Sequence, residues 1–175
     1  IKSQIDDVSS HVDSRIEAYV VEANQLGGEI ADLNTKIRQV EIAGGSPNDL
    51  LDKRDLAVRK LGAIVDVSTY TNKEGGMVVD MRGIGPLVTN GETQMLSSAR
   101  TTAGVGGKRD NSVDVYVGDS QESPITSRIT TGKLGALLQS RDNTLSTLSS
   151  KMDTIAFQLS RAVNEIHRMG FTRDG

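Results

Sequence analysis

The chain has 175 residues, 20 basic and 23 acidic side chains and a net charge of −3. No block of like charge stands out, which argues against a nucleic-acid partner, since such a surface would have to displace counterions from a phosphate backbone. The longest apolar runs, such as Ala18-Tyr19-Val20-Val21, are far below the roughly 18 residues that a membrane-spanning helix needs. With no cysteine, disulfides, thiolate metal sites and a cysteine nucleophile are excluded. Three Tyr, two Phe and no Trp leave the packing to aliphatic side chains, which suits narrow helix seams better than a thick interior.

The first segment is the most periodic. Val12, Ile16, Tyr19, Ala23, Leu26, Ile30, Leu33, Ile37 and Val40 alternate spacings of four and three, the seam of a long helix lying along another. Ile5 and Val8 extend it toward the N-terminus, where a step of four and four loosens any supercoil. Such a helix is about 60 Å long, so an elongated molecule is expected. Gly27-Gly28 interrupts the pattern off the seam, at a cost of about 1 kcal/mol each relative to Ala. The pair is either tolerated on a solvent face or marks a close approach of another chain or a bend.

Gly44-Gly45 ends that helix. Ser46 suits an N-cap and Pro47 a first helical position. A second helix is predicted from Pro47 to Ile64, with Leu50, Leu51, Val58, Leu61 and Ile64 available for burial.

The period then changes to two. Val65–Tyr70 and Met77–Met81 read as strands around a turn at Asn72–Gly76. Gly83-Ile84-Gly85-Pro86 ends the second strand, Leu87–Thr89 resumes, and Asn90-Gly91 is a hairpin turn before Thr93–Leu96. The Gly-rich stretch Ser97–Asn111 is expected to be a loop. Val113, Val115 and Val117 mark another strand, and a short one is expected around Ile125–Ile129. Strands so short and so poor in aromatics form a thin sheet that needs helical support on one face.

The heptad returns in Leu138, Arg141, Leu145, Leu148, Met152, Ile155, Leu159, Ala162, Ile166 and Met169. A second long helix is predicted from Gly132 to Gly170. The two seams run in opposite chain directions and are expected to pair antiparallel, with the β insert at one end. The expected class is α+β, mainly α: an elongated antiparallel coiled-coil-like bundle of two long helices and one shorter helix, with a small antiparallel β subdomain inserted. Residues 1–64 and 131–170 then form a discontinuous helical rod domain, 65–130 the β insert, and 171–175 the start of a following segment.

Catalytic chemistry is nearly absent. His11 and His167 alone could titrate near neutral pH, and they fall on different predicted helices; His167 reads as a helix-end residue. No HExxH or GxxxxGK[ST] pattern occurs, and Gly83-Ile84-Gly85 lacks the following helix that a phosphate-binding turn requires. Acidic residues show no calcium-loop spacing. No residue is assigned as catalytic, cofactor-binding or metal-binding, and no cofactor is expected. One internal echo stands out. Leu50-Leu51-x-x-Arg54-Asp55 with Leu61 recurs as Leu137-Leu138-x-x-Arg141-Asp142 with Leu148, offset by 87 at every position. It is either chance similarity between Leu-rich helices or a repeated device. The second copy puts Arg141 on the seam, where its stem can pack while the guanidinium finds a carboxylate.

Ser46-Pro47-Asn48-Asp49-Leu50-Leu51-Asp52-Lys53-Arg54-Asp55, leading to Leu61 and Val65-Asp66-Val67, resembles the signature segment of the bacterial flagellar hook-associated protein 1 family, which joins hook to filament. Gly85-Pro86-Leu87-Val88-x-x-Gly91, Gly132-Lys133-Leu134-Gly135-Ala136-Leu137-Leu138-x-x-Arg141-Asp142 and Asn164-x-x-His167-x-x-Gly170-Phe171 are similar to later segments, in the same order. Lys53 stands where Gln is common and Phe171 where Tyr is common.

The resemblance implies the folded core of a longer axial protein that leaves the cell through the flagellar type III export channel and acts outside it, in the flagellum. It also implies a structural, non-enzymatic role. The implied partners are identical subunits, hook protein, the second junction protein and, for the full-length protein, an export chaperone, with no nucleic acid and no membrane. The fragment itself is expected to be monomeric, because the polymerising termini lie outside it. Two other readings stay open: another axial protein (flagellin or the second junction protein), and a coiled-coil sensor module with a β ligand-binding head.

Overall fold

The computed structural model describes residues 2–73, 75–100, 112–118 and 123–170. The first apolar repeat forms α1, Lys2–Ile42, an unbroken helix of 41 residues. It closes as expected at a glycine: Gly44 takes a left-handed φ of 75°, and the Gly44 and Gly45 amides donate to the Glu41 and Val40 carbonyls. Helix α2, Asn48–Ile64, begins one residue later than expected, with Pro47 in the capping position and no side-chain cap. The Leu50 and Leu51 amides both donate to the Pro47 carbonyl instead.

Strands β1 (Val67–Thr71), β2 (Met77–Met81), β3 (Gly85–Thr89) and β4 (Glu92–Thr93) form an antiparallel sheet in sequence order. The β1–β2 register pairs Val67 with Met81 and Thr71 with Met77. β2 carries an irregularity between Val79 and Asp80. Asn90-Gly91 makes the expected hairpin, pairing Thr89 with Glu92, and Asn90 accepts a φ of 55°. Strands β5 (Leu96–Arg100) and β6 (Val113–Val117) form a separate ribbon pairing Leu96 with Val117 and Arg100 with Val113. The single thin sheet is therefore corrected to two small ones.

Two local expectations are also corrected. Residues 97–100 belong to β5, not to a loop; the rest of the expected loop, 101–111, lies outside the described residues. Their alternation is weak because pairing with β6 holds the strand, aided by Ser97 Oγ, which donates to the Gly118 carbonyl at 2.6 Å. The strand expected around Ile125–Ile129 is a 3₁₀ turn, Thr126–Arg128, between two buried isoleucines. Here Ile125 N donates to Val115 O, while Thr126 Oγ1 accepts from Val115 N and donates to Asp114 Oδ1, so a compact turn satisfies the edge of β6.

The last heptad run begins at Gly132, as expected. It comprises α3 (Gly132–Gln139), a π-helical turn (Ser140–Leu145) and α4 (Ser146–Met169). Gly132 has a φ of 74°, and its missing Cβ leaves room for the Ile64 carbonyl at the end of α2.

Helices and strands share one aliphatic core. It contains Ile16, Val20, Ala23, Leu26 and Ile30 of α1, Leu61 and Ile64 of α2, Val79 and Val88 of the first sheet, Val113 and Val115 of the ribbon, and Leu134 and Leu138 of α3. Burying each such side chain contributes about 1.5–3 kcal/mol relative to exposure. The sheets do not sit at one end of the rod, as expected, but lie along α1 between Asp13 and Asn34, because the seam residues Leu26 and Ile30 pack into the same cluster as Leu87 and Val88. Nor do the two long seams pair over their full lengths. The C-terminal half of α1 is taken by α2, so α3 and the start of α4 pack only on its N-terminal half.

Candidate assembly surface and its supporting clamps

Three polar residues on α1, Asp13, Asn24 and Asn34, bond directly to strand or turn backbone that docks there. Near the N-terminus Asp13 is buried, at 6% exposure. Its Oδ1 accepts from Arg141 Nη1 at 2.8 Å and from the Val113 amide at 3.4 Å. Arg141 Nη1 also donates to the Val113 carbonyl at 2.6 Å, and Arg141 Nε donates to Asp142 Oδ1 at 2.7 Å. One arginine thus holds α1, the ribbon and the π-helical turn together. The extra residue that a π turn accommodates falls where Arg141 must enter the core.

Burial, the largest single influence, pulls the Arg141 pKa down. Hydrogen bonds to Asp142 and Asp13, with the fields of the same carboxylates, more than offset it and hold the group above its ordinary value. The guanidinium finds its carboxylates as the seam position suggested.

Near the other end of α1, Asn34 repeats the arrangement with neutral chemistry. Its Oδ1 accepts from Arg54 Nη1 at 3.1 Å, and its Nδ2 donates to the Met77 and Asn90 carbonyls at 2.9 and 2.7 Å. Arg54 and Arg141 are the arginines of the 87-residue echo. Their partners Asn34 and Asp13 lie 21 residues apart on α1, which is three heptads and hence one helix face. The echo is a repeated device: two Leu-Leu-x-x-Arg-Asp helices dock antiparallel on one long helix, and each gives its arginine to an α1 side chain that itself bonds a different sheet. Between them Asn24 acts as a third tie. Its amide group donates to Leu96 O at 2.7 Å and accepts from Leu96 N at 2.8 Å, completing the backbone bonding at the start of β5.

Asp13, Asn24 and Asn34 were not singled out in the sequence. The signal that finds Asp13 and Asn34 is the pairing of two offsets: polar residues 21 apart, each directly after a seam residue (Val12 and Leu33), and arginines 87 apart on the docking helices; neither offset finds Asn24. The glycine pair divides. Gly27 is buried, and a Cβ there would lie 2.9 Å from Thr93 Cγ2, so β4 approaches the helix closely. Gly28 faces open space. The close approach comes from this chain's own hairpin.

The remaining surface feature is α4. Its seam residues Ile155, Leu159 and Ile166 are 57%, 64% and 70% exposed, and Leu148 and Val163 are 44% exposed. Phe157, also exposed, lies outside that seam. His11 and His167 are exposed on α1 and α4 and are not brought together. Gly83 and Gly85 form the β2–β3 turn, where the Gly83 carbonyl accepts from Arg128. Among the described residues no group of three His, Asp or Glu could hold a metal ion, and no helix is long and apolar enough to cross a membrane.

Comparison with known proteins places this architecture in a family. The family model for the helical domain of flagellar hook-associated protein FlgK matches residues 1–175. The chain is 25% identical over 199 aligned positions to flagellar hook-associated protein 1 of Bacillus subtilis, covering all of this chain and 38% of that protein. It is 30% identical to the Salmonella typhimurium protein of the same name, covering 97% of this chain and 31% of that one. The flagellar hook junction protein FlgK from Burkholderia pseudomallei superposes with a TM-score of 0.67 at 28% identity, over 80% of this chain and 25% of that one. The chain therefore spans about a third of the length of the curated relatives it matches. On these grounds it belongs to the flagellar hook-associated protein 1 (FlgK) family and corresponds to that family's helical domain.

Proposed function

We propose that the chain is the helical-domain part of a structural flagellar subunit that joins hook to filament as a non-enzymatic mechanical adaptor. The observation that carries this reading is the family match over the whole chain, together with a Salmonella typhimurium relative 30% identical and named for the hook-associated role. The fold supports it physically. Residues 1–64 and 131–170 supply a rod, and 65–130 an insert tied to that rod by side chains of α1 that bond directly to strand backbone. A domain braced in this way resists bending and shear, as a part placed between two stiff tubes must. The expected start of a following segment, 171–175, lies outside the described residues.

The subunit works in the flagellum, outside the cell, after passage through the flagellar type III export channel. Its partners are identical subunits, the hook protein and the second junction protein, with an export chaperone for the full-length form. The isolated domain is monomeric in this reading.

Immunogold labelling of sheared flagella with an antibody against this domain tests the proposal. Gold in a narrow band where hook meets filament is the expected result. Gold spread along the filament, or confined to cell bodies, would overturn it.

A further inference from the structure

Two contacts fix how α4 runs beside α1. Lys2 Nζ lies 2.6 Å from Asp153 Oδ1, and Arg141 Nη1 lies 2.8 Å from Asp13 Oδ1. Lys2 with Asp153 and Asp13 with Arg141 give residue-number sums of 155 and 154, so the helices keep one antiparallel register. Residue i of α1 stands opposite residue 154 or 155 minus i. In that register Ile155 is level with the position just before Ile1, Leu159 with the fifth or sixth residue before it, and Ile166 with the twelfth or thirteenth. These are the seam residues that stand exposed.

The buried face of α1 is still forming core at its N-terminal end, where Ile5 and Ser9 are buried. The relatives are between two and a half and about three times as long as this chain, so they contain polypeptide enough to supply the rest.

We infer that the apolar face Ile155–Ile166 of α4 is the docking site for the stretch directly preceding Ile1 in the full-length protein. That stretch continues α1 as a helix in the same antiparallel register. From Asp153 to Met169 is about 24 Å of helix, so about 16 residues cover the stripe. They carry apolar side chains at spacings of three and four, in phase with Ile5 and Ile16. The inference rests on the helix register and is independent of the proposed role in the flagellum.

The test uses the full-length protein, freed of any cysteines it carries outside this chain, which has none. One variant pairs Leu159→Cys with a cysteine at the fifth residue before Ile1; the control pairs Lys2→Cys with Asp153→Cys. Under mild oxidation both pairs are expected to form a disulfide within one chain. Ile166→Lys is expected to lower the thermal midpoint by several degrees. A control pair that closes while the upstream pair stays open would overturn the inference, and would leave a later segment of the chain as the cover. An upstream cysteine that joins only between two chains would overturn it in favour of a second copy. An unchanged midpoint in Ile166→Lys would show that nothing covers the stripe.

Discussion

Arg141 Nη1 sits 2.8 Å from Asp13 Oδ1 across 128 residues of sequence, and both side chains are nearly sealed from water. The pair closes a loop of most of the chain, exceeded by the exposed Lys2–Asp153 pair. The buried pair brings the last helix, the ribbon and the first helix to one point through the shared Val113 backbone. Desolvating two charges is costly, and here it is offset by the number of bonds each charge makes.

Removing either partner alone leaves an uncompensated buried charge. Asp13→Ala and Arg141→Ala are each expected to lower the unfolding free energy by about 3–5 kcal/mol. Replacing both with apolar residues of similar volume, Asp13→Leu with Arg141→Met, should lose much less. Urea unfolding followed by circular dichroism gives the comparison. Because the Arg141 pKa is raised above its ordinary value, its contribution is fully present below that ordinary value and declines only as pH rises through the still higher folded value, so between pH 6 and 9 this group adds no pH dependence.

The second clamp is neutral at its centre and should be weaker. Asn34→Ala removes both donors to the Met77 and Asn90 carbonyls and the acceptor for Arg54. A loss of about 1–3 kcal/mol is expected. Hydrogen exchange should localise the damage, with amides of β2 and β3 losing protection while those of β6 keep theirs.

Adjacent glycines on α1 should respond with opposite sign. Gly28 has open space around it, so Gly28→Ala is expected to stabilise by up to about 1 kcal/mol. Gly27→Ala places a methyl 2.9 Å from Thr93 Cγ2 and should destabilise. Adding Thr93→Ser removes the obstructing methyl and should recover most of that loss, as read from thermal midpoints.

Gly132 combines a left-handed φ of 74° with backbone contact to Ile64. Gly132→Ala meets both strain and steric overlap, and no flexible side chain can move away. A loss of about 2 kcal/mol or more is expected in equilibrium unfolding.

The helices were legible in the sequence because their seams repeat at heptad spacing over long stretches, and the glycines that end them are plain. The Asn90-Gly91 hairpin was equally plain. β5 was not, because Ser97, Ser98 and Ala99 show no alternation; pairing and the Asn24 tie hold that strand from outside it. The segment Ile125–Ile129 misled because two isoleucines four apart fit a compact turn as well as a strand end. The placement of the sheets along α1 was hidden for a related reason. A heptad seam announces that a helix face is buried but not whether another helix or a sheet buries it. The polar ties were half visible: Arg54 and Arg141 carried a repeat, while Asp13 and Asn34 acquire meaning only once those arginines are seen to need partners on one face.

Two clamps of one design, centred on Asp13 and Asn34, each fasten a sheet to α1. Double-mutant cycles on the four side chains measure this most directly. Asp13→Ala with Arg141→Ala should show a coupling of about 2–3 kcal/mol, and Asn34→Ala with Arg54→Ala a smaller one, whereas Asp13→Ala with Arg54→Ala should be additive within about 0.5 kcal/mol. Additivity between Asp13 and Arg141 would contradict a clamp at this position.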